Sequence, residues 1–176
     1  MIVYFLRHAN AGQKRSNPAR DETRPLDKEG IEQCRYIGRL LNALDTHVDM
    51  ILSSPLKRAT QSASMVGNEI AYEQKIELTP ALRPGASFDA FRDLLHRVNG
   101  LEAVMVVGHN PNLSRFLSLM VTNGLSNSAT EMKKGSVARV DLGPKRSVLQ
   151  WMITPRLVKS AYTSTEVSSR PKTSKK

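Results

Sequence analysis

One cysteine in 176 residues, Cys34, excludes an internal disulfide and any cysteine-rich metal site. No apolar run approaches the ~20 residues of a membrane-spanning helix. The N-terminus has neither a basic leader nor a long apolar segment, so no signal peptide is expected and cytoplasm is the default location. The Gly-rich loop with which nucleotide enzymes cradle phosphate is missing, and so is a carboxylate cluster suited to magnesium; no cofactor and no metal are expected. No basic stretch is interleaved with aromatic residues in the manner of single-stranded nucleic-acid binders, so no nucleic-acid partner is expected either. No internal repeat or domain boundary appears, and a monomer is the expected state.

What is present suits one globular domain, since 40% of the residues are hydrophobic and the length permits a sizeable core. The formal net charge is +10. From Leu157 onward five basic residues face one acidic residue, Glu166, and this Ser-, Thr- and Lys-rich stretch, 157–176, reads as a basic tail, disordered after Tyr162 at the latest. The rest of the excess leaves room for an anion pocket and for weak attraction to acidic partners.

The apolar strand Ile2 to Leu6 ends in Arg7-His8-Ala9-Asn10. A strand end in an α/β sheet lies at the rim where ligands bind, which displays both side chains there. Arginine offers phosphate a fixed fork of donors, and a neutral imidazole is a nucleophile toward phosphorus. Two further stretches repeat the arrangement. Asp49 to Ser53 is a short apolar strand followed by Ser54-Pro55, read as a helix cap and first residue, with Arg58 in the first turn. Ala103 to Val107 is almost unbroken apolar, as a strand in the middle of a sheet would be, and runs into Gly108-His109-Asn110-Pro111, with Asn110 and Pro111 again read as cap and first helical residue. Three strands thus bring Arg7, His8, Arg58 and His109 to one edge of a parallel sheet, each beside a helix N-terminus that favours an anion.

Between these stretches, Ala11 to Leu26 is a long polar loop whose Lys14, Arg15, Arg20 and Arg24 could reach over a phosphorylated substrate. Asp27 caps a helix to about Leu44, with Cys34 on its apolar face beside Ile31 and Ile37 as a core thiol. Lys75 to Leu78 reads as a third strand, Ser87 to Val98 as a helix, and Gly124 to Lys134 as a polar loop. His47 and His96 read as surface or structural residues. Ser136 to Leu142 and Val148 to Ile153 alternate apolar and polar residues as a hairpin does.

The Leu6-Arg7-His8 opening, Ser53-Ser54-Pro55-Leu56-Lys57-Arg58-Ala59 and Val107-Gly108-His109-Asn110-Pro111 resemble, in order and spacing, the three signatures of the histidine phosphatase superfamily. The short length and Arg24-Pro25-Leu26 resemble its small SixA-type phosphohistidine phosphatase branch. The resemblance covers about residues 1–156 and implies a phosphoglycerate mutase-like fold: one three-layer α/β/α domain with a mostly parallel central sheet and a C-terminal antiparallel hairpin. It also implies a metal-independent phosphatase in which His8 is the nucleophile, Arg7 and Arg58 bind phosphoryl oxygens, and protonated His109 adds a donor. Asn10 is a further candidate substrate contact, and the expected partner is a phosphorylated protein carrying phosphohistidine. Larger members carry a proton-donating carboxylate after the third strand, where Thr79 to Gly85 here has none; Asp89, Asp21 or Glu22 would have to substitute, unless the substrate needs no acid. The alternatives are a small-molecule phosphomonoesterase of the same superfamily and a phosphate-recognising protein without turnover.

Overall fold

The computed structural model describes residues 1–125 and 130–168. The chain runs β1 (Ile2–Arg7), α1 (Pro18–Glu22), α2 (Lys28–Ala43), β2 (Met50–Ser53), α3 (Lys57–Glu69), β3 (Glu77–Leu78), a 3₁₀ turn (Pro80–Leu82), α4 (Phe88–Arg97), β4 (Ala103–Gly108), α5 (Asn112–Val121), β5 (Val137–Leu142), β6 (Ser147–Ile153) and α6 (Pro155–Ser168). The sheet order is β3-β2-β4-β1-β5-β6. Its first four strands are parallel, and the β5–β6 hairpin adds to β1 antiparallel. This is the expected three-layer fold, and β4, buried along its whole length, lies inside the sheet between β2 and β1.

Side chains of a strand point alternately to its two faces, so each inner strand supplies both layers. Tyr4 and Leu6 of β1 join Met105 and Val107 of β4 in a core closed by Cys34, Ile37 and Leu41 of α2 and Ala59, Ala63 and Val66 of α3. Val3 and Phe5, with Val104 and Val106, face the other way against Phe91, Leu94 and Leu95 of α4 and Leu113, Phe116 and Leu117 of α5. The Phe91 and Phe116 rings stack at 4.8 Å, and Phe5 lies 5.7 Å from Phe91. Truncating a fully buried Phe5 to Ala should cost about 3–5 kcal/mol.

Capping explains several element starts. Asp27 accepts from the Gly30 N–H at 2.8 Å, and Ser87 accepts from the Ala90 N–H at 3.1 Å. Gly30 has a second role: a Cβ there would lie 2.0 Å from the Asn10 carbonyl oxygen, so only glycine lets α2 press against the chain leaving β1.

The structure departs from the sequence expectations in three places. The long loop after β1 contains α1, capped by Asn17. Neither Ser54 nor Asn110 caps a helix: α3 begins two residues after Pro55, at Lys57, and α5 follows Pro111 with no side-chain cap. Residues 157–168 of the expected tail are helical in α6. Thr154 Oγ1 accepts from the Leu157 N–H at 3.3 Å and Pro155 starts the helix, while Val158 is buried in the α2–α3 core and Lys159 reaches Glu32 of α2 at 3.9 Å. The Tyr162 ring also lies 6.4 Å from that of Tyr36, so α6 packs on α2 although composition alone shows mostly polar residues. Residues 169–176 of that stretch lie outside the described residues. Among those described, no helix is long and apolar enough to cross a membrane.

Candidate active site

The register Arg7↔Gly108 between parallel β1 and β4 puts the next residues of both strands, His8 and His109, side by side. Their ring centroids are 4.8 Å apart. The His8 N–H donates to the Gly108 carbonyl at 3.0 Å, which continues the ladder one step beyond the strands. On the other flank of β1, Gly135 donates its N–H to the carbonyls of Arg7 and His8, both at 3.2 Å, from a left-handed conformation at φ +72° that suits glycine. Arg58 enters from the first turn of α3. Arg7, His8, Arg58 and His109 thus line one cleft of about 560 Å³.

Each ring is oriented by one bond. His8 Nδ1 lies 2.7 Å from the carbonyl oxygen of Ala9; an oxygen with no proton can only accept, so Nδ1 carries the hydrogen. Nε2 is then the unprotonated nitrogen, and it has no hydrogen-bond partner among the described residues. His109 Nε2 lies 2.8 Å from Ser54 Oγ, a group able to donate or accept. Burial pushes the His8 pKa down to about 3, against the pull of the Ala9 carbonyl and helped by the positive charges of Arg58, Arg7 and Arg24. Burial likewise lowers His109 to about 2, with neighbouring His8, Arg58, Arg7 and Arg83 adding to the effect. With the cleft free of an anion, burial and the neighbouring positive charges therefore favour the neutral form of both rings near pH 7.

Three buried nitrogens, Arg7 Nε, Arg58 Nε and His109 Nδ1, have no partner among the described residues. A buried polar group left unpaired costs about 1–3 kcal/mol, so two arginine donors and an imidazole nitrogen at one site mark a place built for a group from outside. The other nitrogens of the arginines fix their planes. Arg7 Nη1 donates to the Met132 carbonyl at 2.7 Å, and Arg58 Nη1 donates to the Asp21 carbonyl at 2.9 Å and faces the Asp21 carboxylate at 3.5 Å.

Sequence reasoning missed this supporting ring. Asp21 is buried and also holds Arg24, whose Nε is 2.9 Å away, and the Arg15 N–H, likewise at 2.9 Å. Burial raises the Asp21 pKa, but those hydrogen bonds and the charges of Arg24 and Arg58 outweigh it and keep the carboxyl below its ordinary value. Asn110 donates to the Met132 carbonyl at 3.0 Å and accepts from Ser114 Oγ at 2.8 Å, which ties the loop before β5 to the site. The signals were only local: a Ser-Pro and an Asn-Pro that read as helix starts, and an apolar Met132 in a polar loop.

The remaining candidates divide. Lys14, Arg15 and Arg24 line the cleft; Arg20 does not. Asn10 does not line it either: its amide nitrogen donates to Asp27 at 2.9 Å and Glu29 at 2.8 Å, and its oxygen accepts from Lys134 Nζ at 2.5 Å, so it braces the loop against α2. Of the three candidate acids, Asp89 lies on α4, pairs with Arg92 at 3.3 Å and is absent from the cleft lining. Asp21 is ion-paired as described, and the Glu22 carboxylate is engaged by Arg83. His47 is exposed beside Asp45, and His96 is exposed on α4.

Comparisons with known proteins agree with this fold. Residues 3–84 match the model of the histidine phosphatase superfamily, branch 1. The chain is 24% identical over 163 residues to the phosphohistidine phosphatase SixA of Escherichia coli, covering 92% of this chain and 98% of that protein. It superposes with a TM-score of 0.80 on the protein histidine phosphatase SixA complexed with tungstate, at 22% identity, covering 90% of this chain and 99% of that one. A phosphoglycerate mutase of Bacillus anthracis shares the fold at a TM-score of 0.71 and 15% identity, over 92% of this chain and 96% of that one. The likeness supports phosphatase activity of the histidine phosphatase type. Residues 3–84 carry the match to the histidine phosphatase superfamily, and over nearly its whole length the chain is similar to SixA-type proteins.

Proposed function

We propose that this protein hydrolyses phosphohistidine on a protein substrate through a covalent phosphohistidine at His8. The observation that carries the reading is the Ala9 carbonyl bonded to His8 Nδ1, which leaves the Nε2 lone pair of a neutral, buried ring in the cleft. In the first step Nε2 forms a bond to phosphorus as the bond to the leaving group breaks in line. Arg7, Arg58 and His109 Nδ1–H hold the equatorial oxygens, so fixed side-chain donors meet the transition-state charge. In the second step water attacks the phosphorus, phosphate leaves and neutral His8 is regenerated.

The donor role of His109 needs the proton on Nδ1, and Ser54 permits this by donating its hydroxyl hydrogen to Nε2. The substrate class follows from the carboxylates. An alkyl phosphate must expel a strongly basic alkoxide unless an acid protonates it, and such proton transfer is worth about 10²- to 10⁴-fold. Both carboxylates of the cleft are held by arginines. A phosphorylated imidazole can take up a proton on its second ring nitrogen near pH 7, since the free ring has a pKa of about 6.5, and the protonated ring then departs as a neutral molecule without that help.

The test compares kcat/KM for a phosphohistidine protein with several sugar phosphates at equal pH. The phosphohistidine protein should exceed them by at least about 10²-fold. A sugar phosphate that matched it would establish a small-molecule phosphomonoesterase instead.

A further inference from the structure

The cleft is larger and more basic than a phosphoryl group requires. Its volume of about 560 Å³ is that of a whole ligand pocket rather than of a single anion. Seven basic side chains line it, Arg7, Lys14, Arg15, Arg24, Arg58, Arg83 and Lys134, against the two carboxylates of Asp21 and Glu22. Asp21 compensates Arg24 and contacts Arg58, and Glu22 compensates Arg83. Arg7 and Arg58 face the phosphoryl site. Three cations then have no carboxylate partner among the described residues: Lys14 and Arg15, from the loop after β1, and Lys134, from the segment before β5, whose ammonium meets only the neutral amide oxygen of Asn10.

All three are exposed at the mouth of the cleft. That placement separates two kinds of second anion. A discrete second phosphate on a small substrate is best met by buried donors of fixed geometry, as at Arg7 and Arg58. Solvated cations at the ends of flexible stems, on two separate segments, tolerate many geometries and act at a distance, which suits an acidic protein surface.

Resting on the phosphohistidine reading, we propose that the phosphorylated histidine is presented by an acidic polypeptide segment whose carboxylates meet Lys14, Arg15 and Lys134 at the mouth of the cleft. An exposed ion pair is worth about 1.4- to 5-fold in affinity, so three together give roughly a tenfold preference. Such contacts at a rim act mainly on encounter and KM, and salt weakens them.

The experiment uses phosphohistidine peptides of equal length with Asp/Glu, Ser/Gly or Lys flanks, a small phosphoramidate, and a small molecule carrying two phosphates. The expected result is a kcat/KM about tenfold higher for the acidic peptide than for the neutral one, carried by KM, and lowest for the basic peptide. This ratio should fall toward one at about 1 M salt, where the Debye length is ~3 Å, and in the triple variant Lys14→Gln, Arg15→Gln, Lys134→Gln. Equal turnover of the three peptides by the unmodified protein overturns the proposal, as does a preference that survives in the triple variant. A diphosphorylated small molecule that outruns the acidic peptide overturns it in favour of a discrete second phosphate. Turnover of the phosphoramidate separates the two levels: with it intact, a missing acidic preference removes only the rim inference, whereas loss of phosphoramidate and peptide turnover together removes the phosphatase reading and the inference with it.

Discussion

His8 and His109 leave adjacent parallel strands at the same level, both buried and both neutral, yet they are held in different ways. His8 is fixed by a backbone carbonyl, which can only accept, so one tautomer is imposed and Nε2 keeps its lone pair. His109 is fixed by the hydroxyl of Ser54, which can donate or accept, so its proton can sit on either nitrogen. A nucleophile needs a lone pair aimed at phosphorus before substrate arrives. A donor needs a proton that an incoming anion can call to the correct side. Similar positions in a sheet become different chemical groups through one hydrogen-bond partner each, and that contrast can be tested by substitution.

The largest effect is expected at the fixed histidine. His8→Ala should lower kcat by about 10⁴-fold or more, since no water or neighbour replaces a covalent nucleophile. His109→Ala should cost less, about 10²- to 10³-fold, the usual loss for one transition-state donor. Comparable losses at both positions would erase the distinction. Ser54→Ala removes the hydroxyl that can donate to His109 Nε2 and keep the proton on Nδ1, and should cost about tenfold in kcat, with Ser54→Thr, which retains the hydroxyl, recovering most of it.

A smaller effect sharpens the comparison without substrate. Both folded-state pKa values lie below the free value of 6.5, at about 3 for His8 and about 2 for His109, so below pH 6.5 the unfolded chain binds protons that the fold does not. Stability is therefore complete above about pH 6.5 and falls as the pH drops toward 3. At pH 5 the loss is about 2 kcal/mol per histidine. Melting temperature measured from pH 7 to pH 5 should fall, with a shallower slope in His8→Ala and in His109→Ala. Added phosphate should raise the melting temperature, because the anion binds only the fold. A flat profile would show that the rings are solvated and protonate freely.

What the sequence reveals and conceals follows the range of each interaction. The sheet was legible because β1 and β4 carry almost unbroken apolar residues; Arg7 ends β1, and His8 and His109 lie immediately beyond the two strands. The cap at Asp27 was legible because it acts over three residues. The partners that orient the site act over much longer separations: Ser54 meets His109 across 55 positions, and Arg7 meets the Met132 carbonyl across 125. No local pattern encodes such pairs, and a Ser-Pro reads the same whether the hydroxyl caps a helix or holds an imidazole. The helix α6 was missed for a different reason. Its Thr154-Pro155 start is a local signal, but the polar stretch behind it masked Val158, which is buried against the core.

The central claim is that phosphate passes through His8, and trapping the intermediate tests it most directly. The protein should be mixed with a phosphohistidine peptide or a small phosphoramidate, quenched within milliseconds under neutral or alkaline denaturing conditions, and mapped by mass spectrometry. The account predicts one phosphate on His8 in the unmodified protein, none in His8→Ala, and slower accumulation at the same residue in His109→Ala. Phosphate mapped to His109 or to any other residue, or turnover that persists in His8→Ala, would contradict it.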